Sequence, residues 1–496
     1  RFNGNSFFAL ANSSDSRWSK MAQFKLTNGS ISGSTPDEHT AELVVRGGTF
    51  DAYAPDGNVT KASNGALPTP TLFNASAYNT PTGYGITRLR FTDGASSHLP
   101  SMAISANPIR PELVYEGGQH YLHGNIGFPN GTGTGHDGRT NVVRVTDGAT
   151  LTVSGGLLQL GSGSRLNIVR VDNASTMQVN QLQTTGASHV RFDVAGGATL
   201  AFTGSFLTQT YTELFVDVTN RSTLSISGTI EFGKDANNTA AYVATNVLNV
   251  VDSTLEISGQ TTLGQPAANQ NLHKIELNLT NAEVKNRQNA FYNACGTITS
   301  KNTDWTAYQL YLGRYTSTAV KPTLNFDGGT FNFTNIFTVG YVGPATAVFE
   351  SGTITNLHGA TFNIGAGGSS ADGTLFVKGG KHVLDYPAFH LGDDGGKGSL
   401  IIDGEGTEFV VNDLNNYLKL GGDTAGGYGR IIVSNGLFKV HSATSVRCYV
   451  GYGTGSTGVL EVAGGKVVAD MNAFGIAFGT GFMNFIGGET ELSCLA

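Results

Sequence analysis

The chain has 496 residues, a net charge of −7 and only 14% charged residues, with 68 glycines against 13 prolines. No run of about 18 apolar residues is available to span a membrane as a helix, no three-residue glycine period marks collagen, and no basic cluster offers a surface to nucleic acid. Three cysteines, Cys295, Cys448 and Cys494, are too few and too scattered for a disulfide framework; they are expected as buried or free thiols, with Cys494 the one placed to pair with another molecule.

Residues 1–20, with Trp18 and the pair Phe7-Phe8, fall outside any repeat and are expected to form an N-terminal cap or extension. From residue 21 to residue 496 one pattern recurs. A short β-branched run is followed by a small turn pair, usually Gly-Gly, Asp-Gly or Asn-Gly, first at Asn28, Gly47, Asp93, Gly117 and Asp147 and last at Asn435, Gly464 and Gly487. The intervals Gly47 to Asp93 and Asn281 to Gly328 are close to double the others, so each is expected to hide a degenerate repeat. The mean period is then about 25 residues, which predicts about 18 to 19 stacked coils.

The register is tested upstream of each turn, because residues two apart on a strand share a face. Two positions before the turn stand Leu26, Val45, Phe91, Tyr115, Val145, Val171, Val194, Val218 and Val250, and the series stays apolar to Phe485. Four positions before it the column runs from Phe24 and Leu43 to Met483, again without a polar residue. After the turn comes a second alternating strand, as in Thr150-Leu151-Thr152-Val153 and Thr199-Leu200-Ala201-Phe202. A third strand ends in an apolar residue and Gly, as in Leu312-Gly313, Leu391-Gly392 and Phe478-Gly479. Three short strands per repeat predict an all-β chain, a right-handed, single-stranded parallel β-helix. Gly, Asp and Asn serve turns that need positive φ. Longer excursions are expected at 54–84, 124–140 and 234–244.

Gly47-Gly48-Thr49-Phe50, Gly196-Gly197-Ala198-Thr199-Leu200 and Gly328-Gly329-Thr330-Phe331 resemble the autotransporter-associated β-strand repeats of bacterial autotransporter passengers. The resemblance implies a secreted β-helix at the cell surface or released from it, adhesive or structural in role. No segment reads as that family's membrane β-barrel or as a Gly-Asp-Ser-Gly-like protease segment.

Candidate chemistry lies on outward columns. Three positions before the turns stand Arg90, Arg144, Arg170, Asp193, Asp217 and Asn249. Asp193 and Asp217 would face each other on adjacent coils about 5 Å apart, close to the carboxyl separation of retaining glycosidases, with Arg170 one coil below to pair with Asp193 or receive an acidic sugar. The simpler reading is a ladder of alternating charges that cancel between coils. Asp393, Asp394 and Asp423 follow two strand ends and suit either a hard cation or Asx turns. Tyr315, Tyr341 and Tyr452, just past strand-end glycines, suit a sugar-facing strip or edge packing. No cofactor is expected.

After Gly487 only a third of a coil remains, and such an end exposes strand edges to another chain. The sequence is therefore read as an extracellular or cell-surface structural or adhesive protein, not an enzyme, self-associating end to end or laterally into a filament or surface fibre. The runner-up is a polysaccharide lyase, a glycoside hydrolase or a carbohydrate-binding spike on the same fold, in contact with polysaccharide.

Overall fold

A computed structural model gives an almost all-β chain. It describes residues 8–10, 23–27, 30–37, 40–53, 70–72, 86–99, 102–104, 110–128, 140–160, 166–184, 189–208, 213–232, 245–264, 274–315, 321–415, 417–442 and 447–494. Most of the excursions expected at 54–84 and 234–244, and residues 129–139 of the third, lie outside these, as does the side chain of Cys494. The chain forms two compact units, 1–237 with 241–254 and 238–240 with 255–496. Each is a parallel β-solenoid, and no helix among the described residues is long and apolar enough to cross a membrane.

The first unit opens with six strands, β1 (Phe8–Leu10), β2 (Gln23–Thr27), β3 (Ser30–Asp37), β4 (Thr40–Arg46), β5 (Thr49–Tyr53) and β6 (Pro70–Leu72). Strands β4, β5 and β6 are the three sides of the first parallel coil. Against them β3, β2 and β1 run antiparallel, pairing Ile31 with Val45, Leu26 with Phe50 and Ala9 with Thr71. One coil of reversed direction therefore covers the hydrogen-bonding edge of all three faces, a device that blunts an open sheet edge. The parallel repeat starts at Thr40 rather than at residue 21, the strands β2 and β3 belong to this antiparallel coil, and the turn expected at Asn28 lies outside the described residues.

Strand β4 pairs directly with Ile86–Thr92, Leu43 opposite Leu89 and Val45 opposite Phe91. The long interval before Asp93 thus holds an insertion and no hidden repeat. The interval before Gly328 does hold one. The strand Thr297–Leu312 pairs Ile298 with Leu277 on one side and with Leu324 on the other, and Asn302 takes the left-handed turn position at φ 49. It is concealed because Ser300, buried with no partner for its hydroxyl among the described residues, stands in the apolar column. With one expected repeat absent and one reversed, the coils are fewer than 18 to 19.

In the first unit the central stack is as the pattern requires. Val145, Val171, Val194, Val218 and Val250 lie in register on successive strands, each 0% exposed. Burial of each valine contributes roughly 1.5–3 kcal/mol, repeated at every coil. The turns follow from backbone geometry: Asp93, Asp147, Asn173, Asn220 and Asp252 all hold φ between 50 and 57, where a short side chain is tolerated.

The second unit fills its interior with larger rings. Phe326 and Phe349 pack at 5.0 Å, Phe331 and Phe337 at 4.9 Å, Phe362 and Phe389 at 4.9 Å. Its last described coil, with the strands Ala473–Gly475, Thr480–Phe485 and Glu489–Cys494, departs from the pattern. Phe485, a member of the apolar column, is 53% exposed because its strand has a paired neighbour on one side only. Phe478-Gly479 does not end the third strand there, and Phe478 is 77% exposed.

Candidate functional site

The outward column of the first unit brings together the residues expected to face one another. Arg144, Arg170, Asp193, Asp217 and Asn249 occupy equivalent positions on five successive strands. Arg170 Nη2 reaches Asp193 Oδ2 at 3.0 Å, and Asn249 Nδ2 donates to Asp217 Oδ1 at 2.7 Å. A residue outside the expected set completes the arrangement: Arg191, two positions before Asp193 and on the same face, bonds Asp193 Oδ1 through Nε at 2.6 Å and Asp217 Oδ2 through Nη2 at 3.2 Å. The hydrogen bond that Arg191 donates to Asp193 is the main influence raising the Arg191 pKa, opposed by burial and reinforced by the field of both carboxylates. A guanidinium thus clamps the two carboxylates, whereas a retaining glycosidase pair needs one of them protonated to serve as the acid. What this column does physically is tie neighbouring coils with charge-assisted bonds. Nearer the first coil the theme repeats, Arg88 reaching Glu112 at 2.6 Å and Glu42 at 3.4 Å.

In the second unit Asp393, Asp394 and Asp423 do not converge on a common point. Asp393 Oδ1 accepts the N–H of Asp394 at 3.1 Å and that of Asp423 at 3.2 Å, its Oδ2 lies 3.3 Å from His390 Nδ1, and Asp423 Oδ2 holds Lys419 Nζ at 2.8 Å. These are turn-stabilising bonds. Among the described residues no group of three or more His, Cys, Asp or Glu is placed to hold a metal ion.

The three tyrosines fall into two separate aromatic clusters. Tyr341 packs on Tyr311 at 4.6 Å, Tyr311 stacks on Tyr292 at 5.1 Å, and the guanidinium of Arg314 lies 3.9 Å from the Tyr292 centroid and 5.5 Å from that of Tyr315. Tyr452 packs with Tyr417 and Tyr449 at 5.9 and 5.2 Å, with Lys419 Nζ 4.7 Å from its ring centre. Tyr292, Tyr311, Arg314, Tyr417 and Tyr449 escaped the sequence reading. The signal was present, since the residue two places before each strand-end glycine, such as Tyr311 before Gly313 and Tyr449 before Gly451, faces outward on the third strand.

Two inward histidines were also missed. His120, 0% exposed, lies 3.0 Å from Ser97 Oγ through Nδ1 and 2.9 Å from the Gly117 carbonyl through Nε2. His382 repeats the device in the second unit, Nδ1 accepting the Ile354 N–H at 3.1 Å and Nε2 meeting the Gly379 carbonyl at 2.8 Å. Burial pushes both rings down to about 4. Cys295 and Cys448 are free, buried thiols, the former pushed up to about 12 by desolvation, which makes it unreactive.

Compared with known proteins, the chain matches no family model, no curated protein and no solved structure.

Proposed function

We propose that the protein is an extracellular or cell-surface β-solenoid with a structural or adhesive role, a subunit of a filament or surface fibre. The observation that carries this reading is the use made of outward charge: Arg191 spans Asp193 and Asp217 at 2.6 and 3.2 Å, so the paired carboxylates serve cohesion between coils. The sparse charge, the Thr- and Asn-rich surface and the resemblance to autotransporter passenger repeats support an extracellular setting. The exposed apolar side chains Phe478, Phe482, Phe485 and Ile486 support self-association.

Catalysis is not part of this reading, and one experiment separates the two. Asp217→Asn in the intact chain is expected to lower thermal stability by about 1 kcal/mol, the worth of a partly exposed charge-assisted bond, with no polysaccharide turned over by either protein. Turnover of a polysaccharide by the natural chain that vanishes in Asp217→Asn would replace the structural reading with the enzymatic one.

A further inference from the structure

We propose that Arg314 and the tyrosines around it form a binding subsite for the carboxylate-bearing sugars of an acidic polysaccharide, an inference that rests on the adhesive half of the reading above. On the third strands of the second unit, outward residues in exact register run from Thr262 through Tyr292 and Tyr311 to Thr338. The rings of Tyr292 and Tyr311 are stacked 16° from parallel. Arg314 follows its strand by two residues and lays its guanidinium over Tyr292, with Nη1 donating to Thr262 Oγ1 at 3.3 Å. A guanidinium carries five N–H donors, and this is the one side-chain hydrogen bond of Arg314 among the described residues.

Among the described residues its charge meets no counter-charge. Among the described residues no carboxylate pairs with Arg314, and the two neighbouring sequence segments, 265–273 and 316–320, contain neither Asp nor Glu. This sets Arg314 apart from Lys419 at the other tyrosine cluster, whose charge is met by Asp423. A planar guanidinium that meets no carboxylate among the described residues, held flat on an aromatic wall, matches a carboxylate through its fork, and the tyrosine stack holds it in place.

The same column also carries unmet hydrogen-bonding capacity. On the three rungs after Tyr311, Thr338 Oγ1, Asn363 Oδ1 and His390 Nε2 are each buried without a partner among the described residues. A ligand extended along the column, rather than a single small anion, is what such a series suits. Nucleic acid would require several cations along its backbone, and a chain of net charge −7 does not hold a polyanion by general attraction. Recognition has to be local.

The test is calorimetric titration of the intact chain with oligogalacturonate, beside a neutral cello-oligosaccharide of equal length and inorganic phosphate. Binding of oligogalacturonate is expected, weakened about tenfold or more in Arg314→Met, the loss that one charge-assisted bond represents, and in Tyr292→Ala, which removes the ring that positions the guanidinium. Arg314→Gln, which keeps hydrogen-bonding capacity but not the charge, is expected to show the same loss, with unchanged circular dichroism and melting temperature establishing that the variants are folded. Three results would overturn the proposal: no binding by the natural chain, equal binding of the neutral oligosaccharide, or phosphate binding as tightly as oligogalacturonate. Oligogalacturonate binding that survives all three substitutions would overturn the site and leave adhesion standing. Failure of the structural reading shows instead in sedimentation, which these titrations do not touch.

Discussion

Tyr115 illustrates what a repeat costs where one residue departs from it. It stands in the central column, fully buried and stacked on Phe91 at 5.3 Å, yet among the described residues its hydroxyl finds no partner, and burial drives its pKa far upward. Removing an unsatisfied buried hydroxyl recovers its desolvation cost, so Tyr115→Phe is expected to stabilise the chain by about 1 kcal/mol; a lower melting temperature in that variant would refute the assignment. His120 and His382 give a dependence on pH. Their folded pKa of about 4 lies below the ordinary 6.5, so between those values the unfolded chain binds more protons than the folded one. The contribution of each neutral ring is complete above pH 6.5 and is lost as the pH falls towards 4, roughly 3 kcal/mol apiece. Urea midpoints at pH 7 and pH 5 should differ in the natural chain, and the difference should shrink in His120→Gln/His382→Gln.

At the scale of the element, the stack is the unit of stability. Val194 sits between Val171 and Val218 in a fully buried valine column, so Val194→Asp is expected to cost more than about 4 kcal/mol. Val194→Ala, which only leaves a cavity, should cost about 2 kcal/mol, and equal melting temperatures for the two would mean that the position is not interior. The period-2 columns made this core legible in the sequence. The repeat hidden at Asn302 could be inferred from spacing alone, although Ser300 had erased its apolar signature. The reversed coil β1–β3 could not, because antiparallel and parallel strands share the same alternation and only pairing tells them apart. The same limit applied to the outward chemistry. Spacing correctly placed Asp193 opposite Asp217, but Arg191, two positions upstream on the same strand, decides what that pair does. Arg314 lies past the end of its strand, where no periodic rule applies.

For the whole molecule, the two units share one construction: buried columns facing in, side-chain ladders binding coil to coil, and turns held by left-handed Asn, Asp and Gly. Such an arrangement offers long, regular surfaces in place of a single cleft, which suits display and association. The strands of the first parallel coil are covered by a reversed one, and the last described coil carries Phe482 and Ile486 with 50% and 73% of their surface exposed. The structural reading depends on association between molecules. The most direct test is sedimentation velocity of the intact chain over a wide concentration range, with electron microscopy of the same samples. The natural chain is expected to assemble with rising concentration into elongated oligomers or fibres, and Phe482→Glu/Ile486→Glu, with an unchanged circular dichroism spectrum, to remain monomeric. A natural chain that stays monomeric at every concentration would contradict it.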